Sequence, residues 1–107
     1  MTDNGKMTGN VAHDPDRRVI RLGGAEAADF LQSILTSDVE RLTPGETRAS
    51  ALLTPQGRVL ADMMVLRTAD GFLIDCDASR ADDLFPRLRR YRLRRPVELA
   101  MLDDAKL

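Results

Sequence analysis

The alternation of apolar and polar residues predicts seven secondary-structure elements between residues 17 and 102. Short apolar runs bounded by glycine, proline or aspartate turns predict strands, whereas apolar residues repeated at spacings of three and four predict helices. The predicted strands cover residues 17–22, 47–54, 58–67, 72–77 and 97–102, and the predicted helices cover residues 25–36 and 79–95. The resulting order is β-α-β-β-β-α-β.

Each predicted helix carries one apolar stripe that would face a core. The stripe comprises Ala27, Phe30, Leu31, Ile34 and Leu35 in the first helix, and Ala81, Leu84, Phe85, Leu88 and Tyr91 in the second. Ser79, followed three residues later by Asp82, predicts the N-cap of the second helix. Pro86 predicts a kink or a later start for that helix, because proline removes an internal hydrogen bond.

The element order predicts an α+β, ferredoxin-like domain with one additional strand, in which two helices cover one face of a mostly antiparallel sheet. The strand at 58–67 is apolar on both of its faces, which helices on a single face do not explain. Its apolar residues point in opposite directions, with Val59, Met63 and Val65 on one side and Leu60, Met64 and Leu66 on the other. We therefore expect another domain, another subunit or a ligand to cover the second face.

Composition narrows the class of protein. A chain of 107 residues is one domain by length, and a net charge of −1 provides no bulk field that would attract nucleic acid or an acidic membrane. No apolar run is long enough to span a bilayer. Residues 1–15 are polar and without periodicity, which predicts a disordered leader and no secretory signal. Arginine outnumbers lysine, which is typical of a bacterium with a GC-rich genome.

The chain has one cysteine, Cys76, and one histidine, His13. Neither an internal disulfide nor a zinc site can be built from these two residues, so we predict no metal and a reducing, cytoplasmic location. Asp75 and Asp77 flank Cys76, and their negative charge would raise the pKa of the thiol, so we expect a small buried residue there.

Several short segments stand in a specific order and spacing over residues 17–102. They are Val19-Ile20 before a glycine, Phe30-Leu31-Gln32, Leu35-Thr36-x-Asp38-Val39, Leu53-Thr54-Pro55-Gln56-Gly57-Arg58, Asp62 and Tyr91-x-Leu93-Arg94. Together they resemble the N-terminal region of YgfZ-type folate-binding proteins. That family is related to the glycine-cleavage T-protein, a tetrahydrofolate-dependent aminomethyltransferase.

The resemblance implies a larger, three-part protein that binds folate in a central channel and takes part in maturation or repair of iron–sulfur proteins. The cysteine-bearing signature of the family is absent, so residues 16–107 would be its first, ferredoxin-like subdomain. The implied cofactor of the full-length protein is tetrahydrofolate, with none expected on this chain alone. The implied partners are the remaining domains, which would cover the second sheet face, and iron–sulfur client proteins.

The resemblance also bears on catalysis. In the aminomethyltransferases an aspartate pair follows the glycine turn, and its first member is catalytic; here the pair is Ala61-Asp62. We therefore expect no catalytic residue in this chain and a non-catalytic function. The alternatives are part of a true aminomethyltransferase, or a stand-alone ferredoxin-like module that binds a protein or RNA.

Three residues are candidates for folate binding, and each has a plainer explanation. Asp62 would face the folate channel, or it would be a strand-edge carboxylate bonded to backbone N–H groups. Gln56 and Arg58 would line the channel, with Arg58 pairing a folate carboxylate. Alternatively, both simply flank a turn that requires Pro55 and Gly57 for backbone reasons.

Residues 87–95 contain six arginines. They form either a basic surface for RNA or an acidic partner, or a solvated helix face whose cations are favoured near the helix C-terminus. The predicted core positions of Leu84, Leu88 and Tyr91 favour the solvated face, and we do not expect nucleic acid as a partner.

Overall fold

The structure is a computed structural model that describes residues 16–102. The predicted leader at 1–15, including His13, and the last five residues lie outside the described residues. The strands are β1 (Arg17–Gly23), β2 (Thr47–Leu53), β3 (Val59–Arg67), β4 (Gly71–Asp77) and β5 (Glu98–Leu102), and the helices are α1 (Ala27–Ile34) and α2 (Ala78–Arg92). The predicted order β-α-β-β-β-α-β is confirmed.

The five strands form one sheet in the order β2-β3-β4-β1-β5, and every neighbouring pair is antiparallel. The N-terminal strand β1 therefore lies inside the sheet, with Ile20 opposite Ile74 of β4 and Met101 of β5. An interior strand needs apolar side chains, and β1 buries Val19, Ile20 and Leu22. The predicted α+β class is confirmed.

Both helices pack on the same face of the sheet, as predicted. Phe30 and Leu31 of α1 join Leu84 and Leu88 of α2 in one buried cluster. The sheet contributes its alternating inward residues to this cluster, among them Ile20, Leu22, Met63, Val65, Phe72, Ile74 and Cys76. Burying one such large apolar side chain stabilises the fold by roughly 1.5–3 kcal/mol, so this cluster holds the two helices in place.

The second helix begins one residue after β4, and its cap differs from the prediction. Asp77 is the N-cap: its Oδ1 accepts from Ser79 N at 2.9 Å and from Ser79 Oγ at 2.8 Å. These bonds lower the pKa of the Asp77 carboxyl. Ser79 is wrong as the cap because the strand passes directly into the helix, so the cap falls on the last strand residue.

Three further helix predictions need correction. The later start predicted from Pro86 is wrong, because α2 begins at Ala78 and runs through this proline. Pro86 is exposed, so the carbonyl left without an N–H partner is on the solvent side and can bond to water. Tyr91 is 39% exposed and does not join the core stripe. The helix α1 ends at Ile34, because Leu35 is extended and pairs with Leu52 in an isolated bridge.

Gly71 is needed for packing between strands. The turn before it closes with a bond from Thr68 N to the Gly71 carbonyl at 2.8 Å, as a hairpin turn at 69–71 predicts. A Cβ atom on Gly71 would lie 2.0 Å from the carbonyl oxygen of Leu22 in β1. Only glycine therefore allows β1 to pair with β4 at this point.

Candidate functional site

The face of the sheet opposite the helices is the candidate site, and we call it the open face. Its larger apolar residues on β3 and β4 are Met64, Leu66 and Leu73, which alternate with the core residues of those strands. Val19 of β1, opposite Asp75, lies on the same face but is fully buried. Met64 is 42% exposed, and Leu66 and Leu73 are half-buried opposite each other. Within residues 16–102, neither helix packs on this face.

Charged side chains on the open face differ in whether they have partners. Arg17 Nε donates to Asp75 Oδ1 at 3.1 Å, and Arg21 Nη2 lies 3.3 Å from Glu98 Oε1. Asp62 is exposed and makes no hydrogen bond or ion pair with any described residue. The plainer explanation of Asp62, a carboxylate bonded to backbone N–H groups, therefore does not hold within the described residues. Its carboxylate is accessible to solvent.

Ala61 points in the opposite direction from Asp62. It is 1% exposed, lies in the apolar core and is paired in register with Leu52 of β2. Adjacent strand residues face opposite sides of a sheet, so only the second position of the pair reaches the open face. An aspartate at position 61 would be buried in this chain among apolar side chains.

The β2–β3 hairpin holds Gln56 and Arg58. Its turn is fixed by bonds from Thr54 N to the Arg58 carbonyl at 2.8 Å and from Gly57 N to the Thr54 carbonyl at 2.9 Å. Gly57 has a φ of +88°, which a side chain would disfavour. The backbone thus accounts for the glycine, while the side chains of Gln56 and Arg58 are exposed and have no partner among residues 16–102.

The three predicted residues lie on the same hairpin: Gln56 and Arg58 are in its turn, and Asp62 is in β3. Arg58 and Asp62 are four residues apart along the hairpin and β3, or about 13 Å at the rise of an extended strand. An elongated ligand that lies along the strand could contact both side chains. Val59, expected beside Met63, is instead 59% exposed, because the pairing of β2 with β3 shifts register between Leu52 and Leu53.

The remaining sequence candidates have structural explanations. Burial raises the pKa of Cys76 to about 11, with Asp75, Asp77 and Asp62 adding to the effect and Arg17 opposing it. The thiol is thus protonated and inert, as predicted. Among the residues that the structure describes, no group of three or more His, Cys, Asp or Glu side chains could hold a metal ion. No helix in the described part of the chain is long and apolar enough to cross a membrane.

The arginine-rich segment divides into paired and unpaired groups. Arg95 Nε lies 3.0 Å from Glu26 Oε1, and its Nη2 bonds to Asp29, which raises the pKa of the guanidinium. Arg92 Nη1 donates to the Val97 carbonyl at 2.8 Å. These two arginines therefore anchor the end of α2 to α1 and β5. Sequence spacing gave no signal for the Arg95 pairs, since their partners are more than 60 residues away.

Comparison with known proteins yields relatives of two kinds. A mitochondrial iron-sulfur cluster assembly factor IBA57 homolog of Pyricularia oryzae is 37% identical over 95 residues, which cover 84% of this chain and 24% of that protein. The mitochondrial iron-sulfur cluster assembly factor IBA57 of Homo sapiens is 32% identical over 94 residues, covering 76% and 26%. An aminomethyltransferase of Pseudomonas syringae pv. tomato is 44% identical over 68 residues, covering 62% and 19%.

A solved structure has the same fold. The crystal structure of glycine cleavage system aminomethyltransferase T from Bartonella henselae superposes with a TM-score of 0.77 at 26% identity, covering 81% of this chain and 24% of that one. This chain thus spans about a quarter of the length of the relatives it matches. The family described as the GCVT N-terminal domain matches residues 17–106. Because that match covers most of the sequence and the fold agrees, the chain belongs to the GCVT N-terminal domain family.

Proposed function

We propose that this chain is the non-catalytic first subdomain of a YgfZ-like, folate-binding protein that acts in iron–sulfur protein maturation or repair. The similarity to iron-sulfur cluster assembly factors over 84% of the chain supports the process. The observation that carries the proposal is the open face, where Asp62 has no partner in the described residues beside the exposed Met64. An apolar surface with an unpaired acid suits a ligand or domain that brings both apolar area and N–H donors.

Tetrahydrofolate fits this surface only in part. The Asp62 carboxylate can accept bonds from the N–H groups of a pterin ring, and Met64 offers apolar contact to the ring face. Arg58, about 13 Å from Asp62 along the strand, can pair a carboxylate at the other end of an elongated ligand, with Gln56 beside it. These residues would supply part of the contacts to the folate, and the remaining domains of the protein would supply the other contacts.

Thermal denaturation with tetrahydrofolate tests this division. A ligand that binds the folded state raises Tm, so we expect no shift for the 107-residue chain and a clear shift for the longer gene product. In the longer protein, Asp62→Asn should weaken binding about tenfold, the usual cost of a charge-assisted bond. The matched substitution Asp82→Asn, at an exposed position of α2, should leave the affinity unchanged.

Each result has a distinct reading. Stabilisation of the 107-residue chain by tetrahydrofolate would mean that the site is complete here, contrary to the proposal. An unchanged affinity in Asp62→Asn would remove Asp62 from the site while leaving the folate assignment in place.

The same proposal assigns the cover of the open face to the remaining domains. Met64→Glu should then hardly change the free energy of unfolding of this chain, where Met64 is 42% exposed. In the longer protein it should lower the free energy of unfolding by about 2 kcal/mol, because the covering domain would bury an unpaired charge. Equal effects in the two proteins would show that Met64 stays uncovered.

A second candidate function is aminomethyl transfer. The 44% identity to an aminomethyltransferase favours it. Against it, Ala61 lacks a carboxylate and lies in the core, away from the open face. Turnover of an aminomethylated carrier protein by the longer gene product, measured with tetrahydrofolate, would establish this alternative.

The cellular role can be measured directly. Loss of the gene should lower the activity of iron–sulfur enzymes without lowering their abundance, and the full gene should restore it. Unchanged iron–sulfur enzyme activity would contradict the assignment. The compartment that we propose is a bacterial cytoplasm; several relatives carry the word mitochondrial in their names, so the matrix is the alternative that cell fractionation would test.

A further inference from the structure

The outer face of α2, turned away from the core, carries a surface pocket of about 370 Å³. The pocket is lined by Pro86, Arg89, Arg90 and Leu93, which are related by helical spacings of three and four, and by Arg92. We call these five residues the basic pocket. Two of its lining residues, Pro86 and Leu93, are apolar and the other three are arginines, so the pocket suits an apolar group that has anionic neighbours.

Most arginines at this end of the helix lack acidic partners. Arg87, Arg90 and Arg94 make no hydrogen bond or ion pair within residues 16–102, and Arg89 only lies over the Phe85 ring at 6.0 Å. Arg95, by contrast, is neutralised by two carboxylates. A concentrated positive charge remains on a chain whose net charge is −1.

The pocket is held in a fixed geometry. Leu84 and Leu88 on the opposite side of α2 are fully buried, so the helix cannot rotate to bury its outer face. Leu93 is 78% exposed and has a φ of +32°, an uncommon conformation for a residue with a side chain. An exposed leucine in an uncommon backbone conformation, next to arginines that have no acidic partner among residues 16–102, is a surface suited to contact with a partner.

We propose that the basic pocket docks an acidic segment of a partner protein, with an apolar side chain of that segment between Pro86 and Leu93 and its carboxylates on Arg89 and Arg90. Charge complementarity is the argument for an acidic partner, since guanidinium groups bind carboxylates in paired hydrogen bonds. Arginine around an aliphatic centre is also the composition of protein interfaces.

RNA shares the anionic charge but fits the pocket less well. A phosphodiester strand has no aliphatic group to place between Pro86 and Leu93. RNA bases stack on aromatic side chains, but the exposed Tyr91 of this helix does not line the pocket. Small anions would engage the arginines alone.

Fluorescence anisotropy with three labelled or competing probes tests the proposal on the 107-residue chain. The probes are a short glutamate-rich peptide with one central leucine, oligo(U) RNA, and inorganic phosphate as a competitor. The peptide should bind more tightly than the RNA, and salt should weaken its binding, because screening reduces exposed charge pairs.

Variants locate the binding. The double substitution R89E/R90E should weaken peptide binding about tenfold or more. The matched control R41E/R80E makes the same change in net charge at exposed positions outside the pocket and should change the affinity less than about twofold. Leu93→Gly removes the apolar contact while suiting the positive φ, so it should keep the fold and weaken peptide binding severalfold.

The outcomes separate the possibilities. Equal loss of binding in R89E/R90E and R41E/R80E would mean diffuse charge attraction and would overturn the proposal. Tighter binding of RNA than of peptide, an unaltered affinity in Leu93→Gly, or displacement of the peptide by phosphate alone would overturn it as well. The test is independent of the folate proposal, because it does not involve Asp62 or the open face.

Discussion

Ala61→Asp recreates the aspartate pair of the aminomethyltransferases, and the structure predicts that the fold will not accept it. Ala61 is 1% exposed, and its side chain lies in the apolar core opposite Leu52. A carboxylate there would have no water and no opposite charge. The matched substitution Ala49→Asp, on the exposed side of β2 opposite Met64, provides the comparison.

The loss of folding stability arises because the buried carboxyl stays protonated in the folded chain but ionises in the unfolded chain. Burial raises the pKa of an aspartate by 3–5 units from about 3.9, so the folded carboxyl at position 61 stays protonated near neutrality. The unfolded chain ionises freely, which favours unfolding by about 4 kcal/mol at pH 7, at 1.36 kcal/mol per unit. Crowding in the core adds about 1–3 kcal/mol. Ala49→Asp should cost about 1 kcal/mol or less.

The sign of the pH dependence is the sharpest part of this prediction. Because the folded pKa is raised, the ionisation part of the penalty grows as pH rises above the unfolded value; near pH 4.5 this part is about 1 kcal/mol, and the pH-independent cost of crowding adds to it. Urea denaturation at the two pH values, followed by circular dichroism, would therefore show Ala61→Asp partly rescued in acid relative to the parent chain. Ala61→Asn, which does not titrate, should show no such rescue.

Two results would refute the reasoning. If Ala61→Asp were no less stable than Ala49→Asp, position 61 would have to be reachable by water or by a cation. If the penalty of Ala61→Asp did not change with pH, steric crowding and not charge burial would be its cause.

Two more predictions concern the core of the sheet. Gly71→Ala should lower the free energy of unfolding by about 3 kcal/mol, because its Cβ would lie 2.0 Å from the Leu22 carbonyl oxygen. The control Gly45→Ala, which has open space around it and a φ of +94°, should lower the free energy of unfolding by about 1 kcal/mol. Equal decreases in urea denaturation would argue against the pairing of β1 with β4. Cys76, with a pKa of about 11, should react with iodoacetamide near pH 8 about a hundredfold more slowly in the folded chain than in urea. Because the thiol ionises more readily in the unfolded chain, the free energy of unfolding should fall as pH rises from about 8.5 towards 11. Rapid alkylation of Cys76 in the folded chain would contradict its burial.

The element order was predictable because each element carries its own local signal. The stripe of Phe30 and Leu31 and the alternation of Met63 and Val65 are properties of short segments. The sheet order was not predictable in this way, since the position of β1 between β4 and β5 depends on contacts between distant residues. Gly71 illustrates the difference: the turn explains its location, but only the approach of β1 explains why it must be glycine.

The candidate site was predictable residue by residue but not as an arrangement. Asp62 and Arg58 were identified from a family resemblance, which carries no distances. That Ala61 and Asp62 face opposite sides follows from strand alternation, yet which side is the core depends on where the helices pack. Tyr91 was assigned to the core by its spacing, but it is 39% exposed, whereas Leu84 and Leu88 are fully buried.

The position of β1 between β4 and β5 also affects when the domain can form during synthesis. β1 is made first, but its partner Asp75 opposite Val19 comes 56 residues later (75 − 19), and Leu102, opposite the same residue, comes 83 later (102 − 19). Pairing over such separations is slow, because the intervening chain must first close a long loop. Until β5 leaves the ribosome, β1 has an unpaired edge and apolar side chains exposed. The interval between translation of β1 and translation of β5 is thus when this domain is most open to aggregation or to capture by a chaperone.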